Sequence, residues 1–321
     1  MLIALDIFRA LADATRLRIM TLLGSMELSV GELAQVLGQS QPRVSRHVKI
    51  LCDAGLAERR KEGSWAFLGL GKSARVAPVM QAIEALTTLD GDHWAVADAA
   101  RLAAVRADRA ASAAQWFEAN AGQWDAIRSL HVAEEQVETA MLGVLGDGPV
   151  GRLIDIGTGT GRMLELFGAR AGHALGIDRS SEMLRLARAK LSEGGIQADL
   201  RQADLYALPL GDAQADVAIL HHVLHFAQQP GAAIAEAARV LGDRGRLLIA
   251  DFAPHDREEL RQRDAHTRLG FSDAQIGQWF AAAGLTLDRV ETLEGGELTV
   301  KLWLGVKHVP ETSGRHLKEV A

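Results

Sequence analysis

Cysteine is almost absent from this sequence of 321 residues, which contains a single one, Cys52. One thiol cannot form an intramolecular disulfide, and it cannot supply the several thiolates that cysteine-rich metal sites need. A disulfide framework and a thiolate-rich metal site are therefore excluded.

Long apolar runs are absent as well. No stretch of about 18 apolar residues occurs that could cross a membrane as a helix. The longest stretch without a charged residue, 217–235, contains three histidines and a proline. Near the N-terminus, Asp6, Arg9 and Asp13 interrupt the apolar pattern, which is atypical of a signal peptide. We therefore expect a cytoplasmic protein without a membrane span.

The composition is otherwise that of a globular protein, with 48% hydrophobic and 24% charged residues. The length exceeds the ~250 residues that one core commonly serves, so about two domains are expected. The net charge of −6 is unevenly spread: residues 1–75 contain 11 Lys or Arg against 7 Asp or Glu, and the rest contains 24 against 34. A basic first quarter on an acidic protein indicates that this segment approaches a polyanion.

The first 75 residues are predicted to form short helices followed by a hairpin. Asp13 can cap one helix, and Ser29 with Glu32 forms a capping box for a short helix that ends at Gly38. Another helix follows from about residue 41. A short helix, a tight turn and a second helix are typical of the helix-turn-helix of DNA-binding proteins.

The second helix of this motif and the hairpin after it carry side chains suited to DNA. Arginine and glutamine make bidentate contacts to guanine and adenine in the major groove. The hairpin, with its turn predicted at Lys61–Ser64, places basic residues near its tip for phosphate contact. We predict a winged helix-turn-helix over residues 1–75. Its predicted DNA-binding residues are Gln41, Arg43, Ser45, Arg46, His47, Lys49, Arg60 and Lys61.

Two segments of this domain resemble the ArsR/SmtB transcriptional regulators: Leu11–Ile19 is similar to the family's opening signature and Ser45–Leu51 to its recognition-helix signature. The resemblance implies a homodimer that binds an inverted-repeat operator in double-stranded DNA, usually as a repressor. Metal sensors of the family place a cysteine pair where this chain has Met26–Gly31. Metal or arsenite sensing there is not expected.

Residues 76–148 are predicted to be a helical connector. An apolar stripe at helical spacing from Val76 to Leu86 is, by the resemblance, a dimerisation element. The Ala- and Arg-rich stretch from Trp94 to Ala114 favours a long spacer helix between two domains.

Strand and helix patterns alternate over residues 149–309, which predicts an α/β domain with a doubly wound parallel sheet. A glycine-rich turn, Asp155–Gly161, follows the first strand, and Asp178 ends the second. A dinucleotide fingerprint needs glycine where this chain has Arg162, and a P-loop needs a lysine and a hydroxyl residue after the turn. Both classes of nucleotide site are therefore disfavoured.

An acidic residue two positions before the first glycine is instead the pattern of class I S-adenosylmethionine methyltransferases. Residues 115–305 resemble the UbiE/UbiG-like (type 11) group, through segments that include Leu208–Leu210, Asp216–Ala218 and Gly245–Ile249. The resemblance implies a Rossmann-like fold with seven strands. Aromatic clusters are more often part of a core than of a ligand site, but the resemblance implies a substrate or cofactor lid here. The cluster consists of Trp116, Phe117, Asn120, Trp124 and Asp125.

The cofactor residues have separate predicted roles. Asp155 can orient the ammonium group of S-adenosylmethionine, Asp178 can accept from both ribose hydroxyls, and Asp204 can accept from the adenine amino group. The full predicted set is Asp155, Gly157, Gly159, Gly161, Asp178, Asp204, Leu205 and His221.

The catalytic residues stay open, because methyl transfer needs mainly alignment and a base only for a protonated acceptor. The first candidates are His222, Tyr206 and His225, with Asp251, His255 and His266 also near the expected cleft. No metal is expected, since adjacent histidines at a strand end seldom converge and no partner carboxylate motif is visible. The domain contains no cysteine, which excludes arsenite methylation.

Two functions fit this sequence. In the first, a DNA-binding regulator binds S-adenosylmethionine or S-adenosylhomocysteine and controls methionine-cycle or own-operon genes. In the alternative, an active methyltransferase for a small-molecule acceptor regulates its own synthesis through its DNA-binding domain. Both need the cofactor motifs. Residues 310–321 are expected to be a disordered tail.

Overall fold

A computed structural model describes residues 2–62, 65–71, 73–90, 94–105, 107 and 134–308. The predicted tail and aromatic lid cluster lie outside these ranges. The chain divides into two compact units, residues 1–116 with 256–265 and residues 117–255 with 266–321. Within the described ranges, no helix has the length and apolar character needed to span a bilayer.

The first unit combines helices with a small antiparallel sheet of order β1-β3-β2. Residues 94–105 are also helical. Helices α1 to α5 span Leu2–Leu11, Ala14–Ser25, Val30–Leu37, Gln41–Asp53 and Val76–Asp90. Strands β1 to β3 span Leu28–Ser29, Ala57–Glu62 and Trp65–Leu70.

Local capping groups set the ends of these helices. The Asp13 side chain accepts the N–H of Arg16 at 3.1 Å at the start of α2. Ser29 and Glu32 form the reciprocal capping box at the start of α3. Gly38 ends α3 with a φ of 64°, in the left-handed region that glycine adopts without a steric cost. The predicted caps and helix end are confirmed.

The hairpin is longer than the sequence predicts. Lys61 and Glu62, expected in the turn, continue β2 and pair with Ala66 and Trp65 of β3. The added pairs extend the ladder, which satisfies backbone N–H and C=O groups that a turn would leave to water. The predicted turn at Lys61–Ser64 is therefore too wide.

The helices after the hairpin help to form the core of the first unit. Val76 and Ile83 of α5, together with Leu102 and Val105, are buried in that core, whereas Leu86 is exposed. Most of the stripe expected at a dimer interface thus covers the unit's own interior. The stretch predicted to be a spacer helix also contributes to this core as far as residue 105.

A buried ion pair joins α2 to the helical segment 94–105. The Nε and Nη2 atoms of Arg18 each donate to a carboxylate oxygen of Asp98 at 2.6 Å. The two side chains are 10% and 8% exposed, and the guanidinium lies 4.7 Å from the centroid of the Trp94 ring. The pair is bidentate and shielded from water, so its loss would leave a buried charge.

The second unit is built on a sheet of order β6-β5-β4-β7-β8-β10-β9. Strands β4 to β10 span Gly151–Ile156, Ala171–Asp178, Asp199–Gln202, Ala215–His221, Leu241–Phe252, Leu285–Leu293 and Val300–Lys307. Helices α6 to α9 and α11 of this unit span Glu134–Leu145, Arg162–Phe167, Ser181–Glu193, Pro230–Val240 and Asp273–Ala282, whereas α10, Glu259–Arg263, belongs to the first unit.

The predicted Rossmann-like sheet of seven strands is confirmed, and five of its strands run parallel as expected. Strands β6, β5, β4, β7 and β8 run parallel, whereas β10 is antiparallel to both of its neighbours. The last two strands form a hairpin, and a short connection can join only antiparallel strands. Strand β7 lies in the middle of the sheet and is buried at nearly every position.

We expect Asp98→Ala to lower the free energy of unfolding by about 3 kcal/mol, because it leaves the buried Arg18 guanidinium without its carboxylate. Urea unfolding of the full chain measures this change. Asp6→Ala, which removes an exposed ion pair with Arg9, is the matched control and should change stability by less than about 0.5 kcal/mol. Equal effects of the two substitutions would contradict the assigned role of the buried pair.

Candidate functional site

Four adjacent strands, β6, β5, β4 and β7, present their carboxyl ends at one edge of the sheet. The chain passes from β4 to β5 on one side of β4, and later reaches β7 on the other side. In open α/β sheets, ligands bind in the crevice at this change of direction. The residues predicted to bind a cofactor lie at or just after these four strand ends.

The turn after β4 requires glycine for steric reasons. Gly157, Gly159 and Gly161 have φ angles of 75°, 52° and 89°, in the left-handed region. A Cβ atom on Gly157 would lie 2.5 Å from the side chain of Val223. The fold of the turn therefore demands at least Gly157, whatever ligand it meets.

Asp155 lies beneath this turn and is almost fully buried, at 1% exposure. Its Oδ2 atom accepts the Thr158 hydroxyl at 2.6 Å. The carboxylate is thus fixed by the turn that follows it, so a change at Asp155 would disturb the turn as well as any ligand contact.

Asp178 at the end of β5 holds the glycine-rich turn in place. Its Oδ2 atom accepts the N–H of Gly159 at 2.8 Å, and its Oδ1 atom accepts the N–H of Ser180 at 2.8 Å. Burial raises the pKa of the Asp178 carboxyl, and the backbone N–H groups of Ser180, Gly159 and Arg179 oppose that rise. A carboxylate accepts about four hydrogen bonds, so Asp178 keeps acceptor capacity beyond these backbone contacts.

Asp204 and Leu205 follow β6, next to Asp178. The N–H of Ala203 donates to the Asp178 carbonyl at 3.1 Å, which brings the two strand ends together. The Asp204 side chain is exposed and accepts the N–H of Tyr206 at 3.0 Å, whereas Leu205 packs partly against the core. An exposed carboxylate beside an apolar side chain suits an aromatic ring that carries an amino group.

Tyr206, one of the catalytic candidates, is poorly suited to act as a base. Its hydroxyl accepts the N–H of Gln229 at 3.1 Å. Burial raises the pKa of the Tyr206 phenol, and hydrogen bonds from Gln229 and Gln228 only partly oppose that rise. The deprotonated form is therefore scarce near neutral pH.

The other two candidates, His222 and His225, converge with Asp251 after β7. The N–H of His222 donates to the Ala250 carbonyl at 2.8 Å, and the backbone N–H of His225 donates to Asp251 Oδ2 at 3.2 Å. His225 Nδ1 lies 2.8 Å from Asp251 Oδ1, within hydrogen-bond distance. His221 ends β7, with its ring 4.6 Å from that of His222. The expectation that the histidines at this strand end do not converge is therefore wrong for His222 and His225.

Two further candidates, His255 and His266, complete this group, which we call the histidine cluster (His222, His225, Asp251, His255 and His266). The His266 ring centroid lies 4.3 Å from that of His225 and 6.5 Å from that of His255. Burial raises the pKa of Asp251 to about 6, although His222 and backbone N–H groups lower it. All members except the half-buried His255 are buried, and the cluster lies beside the sheet edge that holds the residues predicted to bind a cofactor.

Arg162 stands where a dinucleotide fingerprint would have glycine, and it has a structural role here. Its Nε and Nη2 atoms donate to Glu138 of α6 at 2.6 and 2.7 Å, and its Nη1 atom donates to Glu165 at 3.0 Å. These carboxylates hold the pKa of the Arg162 guanidinium above its ordinary value. The arginine thereby connects α6 to the helix that follows the glycine-rich turn.

In the first unit, α4 has one buried and one exposed face. Val44, Val48 and Leu51 are at most 1% exposed and pack into the core. The predicted DNA-binding residues on the exposed face are Gln41, Arg43, Arg46 and Lys49. The basic face of this helix is therefore free of the core, as binding in the major groove requires.

The other four predicted DNA-binding residues are not part of this exposed set. Ser45 is partly buried, and the His47 ring is 14% exposed, with Nδ1 3.6 Å from a carboxylate oxygen of Asp13. His47 thus lies against the start of α2 because one helical turn brings it round towards the core side. Arg60 and Lys61 lie in β2, and their side chains fall outside the described part of the chain.

The chain matches two known protein families, one in each of its two units. Residues 13–59 match the family of bacterial regulatory proteins of the arsR type, and residues 154–249 match a methyltransferase domain family. The chain is 46% identical over 65 residues to the arsenical resistance operon repressor of Escherichia coli, covering 20% of this chain and 56% of that protein. It spans about half the length of the first curated relatives that it matches.

A relative and a solved structure cover more of the chain. The protein MJ1123 of Methanocaldococcus jannaschii is 30% identical over 168 residues, which are 46% of this chain and 77% of that protein. The complex of the Trm112 methyltransferase activator with a methyltransferase of Haloferax volcanii matches 60% of this chain and 98% of that chain. Its TM-score is 0.51 at 20% identity. This likeness shows the fold.

Proposed function

We propose that this chain, which carries an arsR-family DNA-binding domain followed by a methyltransferase domain, is a transcriptional regulator that binds S-adenosylmethionine or S-adenosylhomocysteine. One observation supports this choice of ligand. Asp155, Asp178 and Asp204 lie at three neighbouring strand ends around a glycine-rich turn. This edge of the sheet is where open α/β folds bind nucleotide-like ligands.

The residues present fit the chemistry of this cofactor. Its ammonium, ribose hydroxyl and adenine amino groups are all hydrogen-bond donors, and the three carboxylates are acceptors. Leu205 offers an apolar contact for the adenine ring beside Asp204. When bound, S-adenosylmethionine supplies an electrophilic methyl group.

The DNA-binding half of the proposal depends on the exposed face of α4. Gln41, Arg43, Arg46 and Lys49 supply both the bidentate groups that read bases and positive charge for phosphates. We propose that two copies of the chain bind the two halves of an inverted repeat, as homodimeric helix-turn-helix proteins do.

Regulation requires that ligand binding in the methyltransferase domain be coupled to DNA binding. A ligand changes DNA affinity only when it binds one state of the protein better than the other. Because the two candidate ligands report on methyl-group supply, we propose that the controlled genes belong to the methionine cycle or to the protein's own operon.

A second candidate function, turnover as a small-molecule methyltransferase, is favoured by the histidine cluster. Buried polar groups are costly to retain without a role, and these lie beside the strand that precedes the glycine-rich turn. Imidazoles suit proton transfer near neutral pH better than Tyr206 does. Formation of S-adenosylhomocysteine that depends on an added acceptor extract would support turnover, and its absence with every extract would favour the regulator alone.

We expect Asp178→Asn to weaken binding of both cofactor forms by about 10- to 100-fold, because an amide cannot accept from two hydroxyls while it holds the turn. Calorimetric titration of the full chain measures this. The control Asp199→Ala, at a 57%-exposed carboxylate on the same sheet, should bind normally. A folded Asp178→Asn variant with unchanged affinity would contradict the assignment.

Arg43→Ala combined with Arg46→Ala should lower operator affinity by roughly 100-fold, since each bidentate base contact is worth about 1–3 kcal/mol. The operator is the fragment that the unaltered protein selects from genomic DNA, and fluorescence anisotropy measures its affinity. Arg185→Ala removes a 64%-exposed arginine of the second unit and is expected to bind as before. Operator affinity that survives the double substitution would rule out α4 as the reading helix.

A further inference from the structure

Three metal-binding side chains meet in the histidine cluster. One ring nitrogen each of His222 and His225 and one carboxylate oxygen of Asp251 lie within 4.8 Å of one another. The three residues are buried, at 6%, 2% and 0% exposure. We propose that they bind one divalent first-row transition-metal ion such as Zn²⁺ or Fe²⁺.

The backbone, rather than the side chains alone, brings these donors together. Strands β7 and β8 pair His221 with Ala250, which sets His222 beside Asp251. His222 has a φ of 53°, a conformation that costs a residue other than glycine about 1–2 kcal/mol. Such strain persists where the surrounding structure holds it, and here it directs the chain into a one-turn 3-10 helix, Leu224–Phe226, that returns His225 to Asp251.

The loop after β8 adds further constraints on the cluster. The N–H groups of Thr267 and Arg268 both donate to the His225 carbonyl at 2.9 Å. The same loop brings the His266 ring next to that of His225. The position of His225 is thus fixed from both sides, which is the preorganisation that a metal ligand needs.

The donor set selects the class of ion. Two imidazoles and one carboxylate form the set that binds zinc in hydrolytic enzymes and non-haem iron in oxygenases. Magnesium and calcium prefer oxygen ligands throughout, so this set disfavours them. Three protein ligands leave at least one coordination position for water or for a methyl acceptor.

The surroundings also suit an ion. The ring centroid of Phe252 lies 4.9 Å from those of both His222 and His225, and the Phe226 ring lies 3.9 Å from that of His225. An apolar shell limits water access and strengthens the attraction between an ion and its ligands. A divalent ion would replace the hydrogen bond between His225 and Asp251 and would compensate the charge of a fully buried carboxylate.

This proposal differs from the sequence-based expectation of no metal. It goes beyond the proposed function, because it depends neither on cofactor binding nor on DNA binding. An ion bound here would lie beside the cofactor edge of the sheet, since β7 is the neighbour of β4.

The test uses the full chain without a histidine tag, stripped of metal with a chelator and titrated with zinc chloride in the absence of cofactor. We expect one ion per chain at micromolar or tighter affinity. Cobalt chloride should give the visible absorption of an ion in a site of low coordination number. Histidine labelled with ¹⁵N should show ring shifts at His222 and His225, which tests the site without any substitution.

His222→Asn should weaken zinc binding by at least about 100-fold, because outer partners alone contribute about 10- to 100-fold. Asparagine tolerates a positive φ, so this variant keeps the local backbone. His173→Ala, at a 56%-exposed histidine of the same unit, is the control and should bind zinc normally. No stoichiometric ion in the unaltered protein, or equal affinity in His222→Asn, would overturn the proposal. Cofactor titration of the same stripped protein reports separately on the proposed function.

Discussion

The parallel pairing of β5, β4, β7 and β8 is the constraint on which both candidate sites of the second unit depend. Parallel strands end at the same edge, so residues from distant parts of the chain meet there. Asp178 reaches the glycine-rich turn across the β5–β4 pair, and Asp251 reaches the histidines across the β7–β8 pair. A slip of one residue in either register would turn the facing side chains to the other face and separate these groups.

Two buried carboxylates, those of Asp98 and Asp251, have different surroundings. Arg18 and Asp98 neutralise each other in a bidentate pair, which holds the helical segment 94–105 against α2. Asp251 is fully buried among imidazoles and backbone N–H groups instead. The first arrangement pairs two opposite charges, whereas the second places one carboxylate next to two imidazole rings, the arrangement from which we propose a metal site. This difference separates an ion pair with a structural role from a buried carboxylate that is a candidate for a chemical role.

Features with a local cause could be predicted from the sequence. The caps at Asp13 and Ser29 and the end of α3 at Gly38 each depend on contacts within a few residues, and the structure confirms them. The doubly wound sheet was also predictable, because alternating strands and helices leave few other topologies. The residues predicted to bind a cofactor lie at or just after strand ends that the hydrophobic pattern marks, and their role in binding stays a prediction.

Features that depend on register or on helix rotation were not predictable in this way. His47 lies among basic residues in the sequence, yet the rotation of α4 turns it towards Asp13. His225 and Asp251 are 26 residues apart, and their contact follows from the pairing of β7 with β8. One signal was available: a carboxylate near the end of the strand that follows a strand ending in histidines.

The proposed function depends on coupling between a methyltransferase-type ligand site and DNA binding in one chain. The direct test is operator affinity of the full chain, measured by anisotropy with no ligand and with saturating S-adenosylmethionine or S-adenosylhomocysteine. We expect at least one ligand to shift the affinity by about fivefold or more, as a coupling free energy of about 1–3 kcal/mol requires. Identical affinities, in a protein that calorimetry shows to be saturated with ligand, would contradict it.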